Sequence, residues 1–170
     1  PKCMLSIDSR PLLAKWIDDI YHFNEKRIVI NTHHLAHVVE DYFSSLQSEF
    51  PKVELVYEDQ LLGTAGTLLA QLERLGNGDT LVAHADNFCT ADFGLFIEAH
   101  LRRPRDALIT MMTFETNRSP EQIGLVETND SGMLVRIHEK QKIFAGNVAN
   151  GAIYIFSEKA KERLRTLPFL

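Results

Sequence analysis

The sequence predicts an α/β fold in which helices cover both faces of a mostly parallel sheet. Short apolar runs, typical of buried strands, alternate along the chain with longer segments of helical periodicity. The clearest run, 81–85, ends abruptly at Asp86 and Asn87, and another helical segment follows. Since open α/β sheets bind ligands at the carboxyl ends of their strands, we expect Asp86 to lie at a binding edge.

The composition restricts the class of protein. With 170 residues, 45% of them hydrophobic, the chain can bury one core, and we expect a single domain over 1–170 that is incomplete at both ends. The net charge of -5 argues against nonspecific binding to nucleic acid or to anionic membranes. Cys3 and Cys89 are far apart and match no metal-ligand spacing, which favours a reduced, cytoplasmic protein.

The first third of the chain predicts a helix and then a βαβ unit. Apolar side chains recur at helical spacing over 11–23, and Pro11 suits the first turn of that helix. A buried strand over 27–31, a helix over 35–46 and a strand over 53–57 follow. We expect the crossover between these two strands to be right-handed.

The middle of the chain continues the alternation. A helix over 67–75 precedes the strand 81–85, and a helix over 93–101 separates that strand from another over 107–114. This order is typical of a doubly wound sheet.

The last third predicts a hairpin, a strand and a helix. Two strand-like runs, 122–128 and 133–138, are joined by Asn-Asp-Ser-Gly, whose residues tolerate a positive φ. A strand over 150–156 comes next, and Ser157 is suited to cap a helix over 158–167.

Several polar positions are candidates for a site, each with a structural alternative. Asp86 could ligate a metal or anchor a substrate, or it could cap the next loop; Asn87 could bind a ligand or form an Asx turn. Gly63 to Gly66 could offer helix N-terminal amides to a phosphate or a base edge, or could simply form a tight turn. The glycine spacing does not match the dinucleotide-binding fingerprint.

Other candidates lie later in the chain. Glu139 and Lys140 could hold a sugar hydroxyl and a phosphate, or could be solvated, and Asn150 could contact a ligand or form a turn. The histidines at 33, 34 and 37 lack the carboxylate of a metalloprotease motif, so we expect no zinc there and place His33 and His34 in a strand-to-helix loop. No nucleophile elbow is present to support a hydrolase.

Taken together, these motifs resemble those of the sugar-1-phosphate nucleotidylyltransferases, of the mannose-1-phosphate guanylyltransferase and glucose-1-phosphate thymidylyltransferase type. The matching segments occur in the family's order over essentially the whole chain: 1–13, 29–34, 62–66 (Leu-Gly-Thr-Ala-Gly), 85–87 (Ala-Asp-Asn), 124–126 (Gly-Leu-Val), 139–140 (Glu-Lys) and 150–154 (Asn-Gly-Ala-Ile-Tyr).

The resemblance implies a Rossmann-like, three-layer nucleotidyltransferase fold with a β-hairpin excursion on the sugar side. It also implies an enzyme that joins a sugar-1-phosphate to a nucleoside triphosphate and releases pyrophosphate. By its match to the family's strand-end aspartate, Asp86 would hold a Mg²⁺ ion, and Lys2 would contact the triphosphate.

The remaining site residues are also implied by the resemblance. The nucleotide pocket would use Lys2, Glu58, Gly63 and Thr64, and the sugar-phosphate pocket Asn87, Gly124, Glu139, Lys140 and Asn150. Because the Glu58 carboxylate could accept two hydrogen bonds from guanine, GTP with mannose-1-phosphate is the favoured pair. The partners are then the triphosphate and the sugar phosphate, with no nucleic acid or membrane, and the oligomeric state stays open, a homo-oligomer included.

The sequence also departs from the family pattern. The glycine-rich Gly-x-Gly-Thr-Arg loop expected before Pro1 is absent from the sequence, as is the C-terminal region that carries a second metal-binding aspartate. Gln141 replaces a proline, Arg10 replaces a lysine, and Asn-Gly-Ala replaces Asn-Ala-Gly at 150–152. The alternative to an enzyme is therefore a noncatalytic sensing or assembly module of the same fold; a Rossmann dehydrogenase is disfavoured.

Overall fold

The computed structural model describes residues 1–21, 27–119, 121–139 and 146–167. After a 3-10 turn at Lys2–Met4, its strands are β1 (Ser6–Ile7), β2 (Arg10–Pro11), β3 (Ile28–Thr32), β4 (Val53–Tyr57), β5 (Thr80–Ala83), β6 (Ile109–Glu115), β7 (Leu125–Thr128), β8 (Leu134–His138) and β9 (Val148–Phe156). Its α-helices are α1 (Leu12–Tyr21), α2 (Ala36–Ser44), α3 (Gly63–Ala70), α4 (Leu72–Leu75), α5 (Phe93–Leu101) and α6 (Glu158–Leu164).

The strands form three separate sheets. β1 and β2 make a small antiparallel hairpin, and β3 pairs with β4 in parallel. The largest sheet has five strands and is built around β9, which pairs antiparallel with β5, β6 and β7, while β8 pairs with β7. The described strands show no hydrogen-bonded pairing between the β3–β4 sheet and the five-stranded sheet.

The predicted mixed α/β architecture and the 125–138 hairpin are confirmed, but the share of parallel pairing is smaller than the sequence suggested. Among the described strands, only β3 and β4 are hydrogen-bonded to each other in parallel. Strands β5, β6 and β7 share one direction, but each pairs with β9, which runs the opposite way.

Because side chains alternate along β9, helices pack on both faces of the large sheet and give three layers: helix, sheet and helix. Ile153 and Ile155 point to one face of the large sheet, where they pack with α1 and α5, and Phe156 lies in the cluster on the other face with α3, α4 and α6. Helix α1 also contributes Leu13 and Ile17 to a third cluster, with α2 and the β3–β4 sheet. Helix α1 therefore packs against both sheets. Within the described residues, no helix has the length and apolarity that a membrane crossing would require.

Element boundaries differ from the prediction mainly at helix ends. The helix predicted over 67–75 begins earlier, at Gly63, and is divided at Gln71, whose backbone N–H donates to the carbonyls of Thr67 and Leu68. The predicted cap is confirmed, because the Ser157 side chain accepts a hydrogen bond from the N–H of Ala160. The last residues of the first predicted helix, including Phe23, lie outside the described residues.

A polar network joins the elements at the end of the large sheet where β5 begins. His100, 2% exposed, places Nε2 at 3.0 Å from Asp79 Oδ2 and Nδ1 at 2.7 Å from Thr110 Oγ1. A carboxylate only accepts, so Nε2 carries the proton and Nδ1 accepts from the Thr110 hydroxyl. Asp79 Oδ1 accepts in turn from the backbone N–H of Glu158 at 3.0 Å. The network therefore ties β5, α5, β6 and α6 together.

This network makes stability fall in acid. Burial, followed by the charge of Arg103, lowers the pKa of His100 below its ordinary 6.5. Burial alone would raise the pKa of Asp79, but hydrogen bonds from Glu158 and His100 and the charge of Arg103 lower it below 3.8. As the pH falls, the unfolded chain therefore binds protons more readily than the folded chain. This difference begins at His100 below about pH 6.5 and at Asp79 below about pH 4.

We expect the free energy of unfolding, measured with urea between pH 7.5 and 5.5, to decrease as the pH falls. His100→Gln should lose about 1–3 kcal/mol at pH 7.5, because buried partners are left imperfectly paired, and should show a flatter pH dependence. His34→Gln, at an exposed position, is the matched control and should follow the wild type. Equal slopes for wild type and His100→Gln would contradict this assignment.

Candidate functional site

Asp86 lies in the turn that follows β5, with its side chain 44% exposed. The turn is closed by a 3.1 Å hydrogen bond from the N–H of Asn87 to the carbonyl of His84. Lys2 approaches from the N-terminal turn, and its Nζ lies 3.9 Å from Asp86 Oδ2. The two predicted catalytic residues are thus neighbours, and Asp86 stays open to solvent.

Asn87 connects this turn to the rest of the fold. Its carbonyl accepts a 2.8 Å hydrogen bond from the indole N–H of Trp16 in α1, and its side-chain amide donates to the carbonyl of Gly151 at 3.1 Å. Of the two sequence interpretations, ligand contact or Asx turn, neither describes these bonds. The side chain links the end of β5 to β9.

Antiparallel pairing explains why β9 reaches Asp86. The last residue of β5, Ala83, pairs with Ile153, so the end of β5 lies beside the early part of β9, which contains Asn150 and Gly151. The Asn150 side chain accepts from the N–H of Ala152 at 2.8 Å and bonds the hydroxyl of Tyr154. Its amide is therefore turned towards its own strand.

Gly124 and Glu139 come together on the hairpin side. The backbone N–H of Asn150 donates to the carbonyl of Gly124 at 3.1 Å. A Cβ at position 124 would lie 3.0 Å from Glu139 Oε1, so the missing side chain lets the carboxylate sit over the backbone. A continuous series of contacts along the start of β9 therefore links four of the five predicted sugar-site residues: Asn87, Gly124, Glu139 and Asn150. The fifth, Lys140, lies outside the described residues.

Ala152, in β9 between these residues and the sheet core, has a strained backbone conformation. Its φ is +53°, in the left-handed region that an L side chain adopts at a cost. Its N–H bonds Asn150 and its carbonyl accepts from the N–H of His84 at 3.3 Å, so surrounding hydrogen bonds maintain the conformation. Strain of this kind is common near functional sites.

Ala152→Gly should therefore raise the free energy of unfolding by about 0.5–1 kcal/mol, because glycine adopts a positive φ without the Cβ penalty. Urea denaturation of wild type and variant measures the difference. A loss of stability would show that Ala152 is not strained in solution.

Glu58, the predicted base-recognising residue, is 6% exposed and immediately follows β4. Its N–H donates to the carbonyl of Thr32, and its carbonyl accepts from Nδ1 of His33, so the loop after β3 fixes its backbone. Its Oε1 is buried and has no hydrogen-bond partner among the described residues. A buried acceptor without a donor is energetically costly and is suited to a ligand that supplies one.

Gly63 and Thr64 begin α3, and Thr64 contacts a histidine that the sequence did not mark as a site residue. Gly63 has a φ of +69°, which accounts for glycine at this position. Thr64 Oγ1 lies 3.0 Å from Nε2 of His84, two residues before Asp86. No local motif marks His84, and Thr64 precedes it by 20 positions, so nothing in the sequence indicated this contact.

The arrangement therefore has three groups. Grouped by predicted role, the nucleotide group is Glu58, Gly63 and Thr64; the metal group is Asp86, with Lys2, a predicted triphosphate ligand, beside it; the sugar group is Asn87, Gly124, Glu139 and Asn150. His84 connects the first two groups, and Asn87 connects the second with the third. In the part of the chain that the structure describes, no cluster of three or more histidine, cysteine or acidic side chains is arranged to hold a metal by itself.

Comparison with known proteins identifies the family. Residues 1–167 match the family model described as nucleotidyl transferase. The chain belongs to the nucleotidyl transferase family. It is 24% identical over 172 residues to the mannose-1-phosphate guanylyltransferase catalytic subunit beta of Danio rerio, and 24% identical over 173 residues to a probable mannose-1-phosphate guanylyltransferase 1 of Oryza sativa. Each alignment covers 99% of this chain and 47% of the relative, so this nucleotidyl transferase chain spans about half the length of those curated relatives.

Solved structures show the same nucleotidyl transferase fold. A putative glucose-1-phosphate thymidylyltransferase from Bacillus anthracis, in complex with a sucrose, superposes with a TM-score of 0.81 at 20% identity, over 98% of this chain and 67% of that one. HddC from Yersinia pseudotuberculosis, complexed with GMP-PN, gives a TM-score of 0.76 at 23% identity, over 94% and 68%. These similarities confirm the predicted fold.

Proposed function

We propose that this nucleotidyl transferase chain forms a nucleotide sugar from a sugar-1-phosphate and a nucleoside triphosphate. A phosphate oxygen of the sugar-1-phosphate attacks the α-phosphorus of the triphosphate. The bond from that phosphorus to the oxygen bridging to the β-phosphate breaks, and pyrophosphate leaves. The products are one nucleoside diphosphate sugar and one pyrophosphate.

The observation that carries this proposal is the position of Asp86 between two sets of residues. On one side, His84 contacts Thr64 at the start of α3; on the other, Asn87 bonds Gly151 beside Asn150. A reaction that joins two phosphorylated substrates requires both to meet at one centre. The family match and the names of the relatives support this class of reaction.

Lys2 and the sugar group supply the binding chemistry. Lys2, 81% exposed at its side chain, is free to move from Asp86 to the triphosphate, where an ammonium offsets phosphate charge. The carboxylate of Glu139 is suited to sugar hydroxyls, and Gly124 leaves it room. Lys140 stays a proposed ligand of the sugar phosphate on the strength of the Glu-Lys motif.

The residues fit a Mg²⁺ ion that is completed by substrate. Mg²⁺ is commonly held by one or two carboxylates together with phosphate oxygens and water, so the exposed carboxylate of Asp86 is an adequate protein ligand. Bound there, the ion would neutralise charge on the transferring phosphate. The chain's own residues position the carboxylate through the Asn87 turn and its bonds to Trp16 and Gly151.

We propose GTP and mannose-1-phosphate as the substrate pair. The buried Oε1 of Glu58 has no donor among the described residues, and the N1–H and N2–H groups of guanine would supply two to one carboxylate. The names of the relatives, mannose-1-phosphate guanylyltransferases, support the same pair.

The proposal is tested by measuring pyrophosphate release by the purified protein with Mg²⁺, crossing a panel of sugar-1-phosphates with the four ribonucleoside triphosphates and dTTP. We expect release only when both substrates are present, and fastest release with GTP and mannose-1-phosphate. Faster turnover of another triphosphate would overturn the base assignment alone.

The same experiment separates the enzyme from the noncatalytic alternative. Absence of release from every pair would overturn the proposed reaction. Saturable binding of a triphosphate without turnover, measured by calorimetry, would instead support a sensing or assembly module.

A further inference from the structure

His84 occupies a fixed position between the nucleotide and metal groups. Its backbone N–H donates to the carbonyl of Ala152, and its carbonyl accepts from the N–H of Asn87, so both ends of the residue are held. The side chain is exposed and places Nε2 at 3.0 Å from Thr64 Oγ1. The ring therefore extends from the strand that precedes Asp86 to the first turn of α3.

The contact spans a junction that the backbone does not bridge. The segment carrying Glu58 and Gly63 follows β4, in the two-stranded sheet, whereas Asp86 follows β5 in the five-stranded sheet. No strand pairing connects these sheets among the described residues. Helix α3 itself packs on the five-stranded sheet, where its Leu68 clusters with Phe156 of β9. The contact between His84 and Thr64 adds a polar link between the first turn of α3 and the turn that carries Asp86.

We infer that His84 is a positioning residue for the nucleotide. By holding the Thr64 hydroxyl, it fixes the start of α3, in the proposed nucleotide pocket, relative to the turn that carries Asp86, the proposed metal ligand, so that a nucleotide bound in that pocket is oriented towards Asp86. Its role is selective, because the sugar group is anchored separately through Asn87 and Gly151. This inference rests on the proposed function and names a residue that the family motifs do not include.

The chemistry of the contact predicts which substitutions preserve it. The amide nitrogen of glutamine occupies nearly the place of Nε2 and can donate to Thr64, whereas the shorter asparagine cannot reach it. One hydrogen bond between protein groups contributes about 0.5–1.5 kcal/mol, which corresponds to about a 2- to 12-fold change in affinity.

The experiment compares His84→Ala, His84→Asn and His84→Gln in steady-state kinetics and in calorimetric binding of the triphosphate. We expect a 2- to 12-fold higher KM and Kd for the triphosphate in the alanine and asparagine variants, near wild-type values in the glutamine variant, and an unchanged KM for the sugar phosphate. His37→Ala, exposed on α2, is the matched control and should behave as the wild type. The melting temperatures should also agree, since His84 is exposed.

A double-mutant cycle with Thr64→Val identifies the partner. If His84 acts through Thr64, adding His84→Ala to Thr64→Val should cause little further loss. Additive losses, equal changes in both KM values, or an unaltered His84→Ala would overturn the positioning role while leaving the proposed reaction intact. Failure of the wild type to bind any triphosphate would overturn both.

Discussion

Asp86→Asn is expected to lower Mg²⁺-dependent pyrophosphate release by at least about 100-fold, the loss typical of removing one preorganised electrostatic group from an active site. The amide keeps the size of the side chain but removes the charge that a divalent cation requires. Because the side chain is 44% exposed and the turn is closed by backbone atoms, the free energy of unfolding should change by less than about 0.5 kcal/mol.

The decisive measurement is turnover as a function of Mg²⁺ concentration, alongside a thermal melt of each protein. Asp130→Asn removes the same single negative charge from the exposed turn between β7 and β8 and should leave turnover unchanged. Wild-type turnover in Asp86→Asn would remove Asp86 from the mechanism. A large drop in melting temperature would show instead that the residue is structural.

Gly151→Ala should be the most disruptive conservative change on β9. A Cβ at this position would lie 2.9 Å from the backbone carbonyl oxygen of Met112, and a backbone atom cannot move aside as a side-chain end can. β6 and β9 change register around Met112, so their separation is already set by an irregular pairing. We expect a loss of about 1–3 kcal/mol in unfolding free energy, the usual cost of overpacking.

The same substitution should also weaken binding at the sugar group, because the Gly151 carbonyl that accepts from Asn87 moves with the strand. Ala152→Gly is the internal control, since it removes a methyl group from the adjacent residue and should change stability in the opposite direction. If both variants were destabilised equally, the cause would be general intolerance of β9 to substitution and not the contact with Met112.

Local sequence patterns predicted the parts of the fold that depend on nearest neighbours. The strand over 53–57 and the helix over 93–101 lie where predicted, because the first is a short run rich in valine and the second is a longer apolar segment, lengths that suit a strand and a helix. The apolar run predicted the strand before Asp86 over 81–85, but the structure ends it two residues earlier, at Ala83. Strand direction was not predictable, since the pairing of β5 with β9 joins residues 70 to 76 positions apart and periodicity carries no information about partners.

In the candidate site, too, some features were predictable from the sequence and others depend on contacts between distant residues. Asp86 and Lys2 were predicted together from the resemblance, and the structure brings them to 3.9 Å. The burial of Glu58 could not be predicted locally, because its backbone is held by Thr32 at the end of β3 and by His33 just after it, which are distant in sequence. The order Asn-Gly-Ala at 150–152 was predicted as a departure from the family pattern, but its geometry is visible only in the structure. Gly151 lies against the backbone of β6, and Ala152 has the positive φ.

The separation of the two sheets bears on what an affinity measurement of this protein reports. A ladder of backbone hydrogen bonds would hold the segment with Glu58 and the turn with Asp86 at a rigid spacing, but here side-chain contacts do so, through the packing of α1 on both sheets and the contact of His84 with Thr64. Part of the interaction energy of a ligand that touches both sheets must then offset the entropy lost in aligning them. Stiffening that alignment should tighten nucleotide binding without adding any contact to the nucleotide.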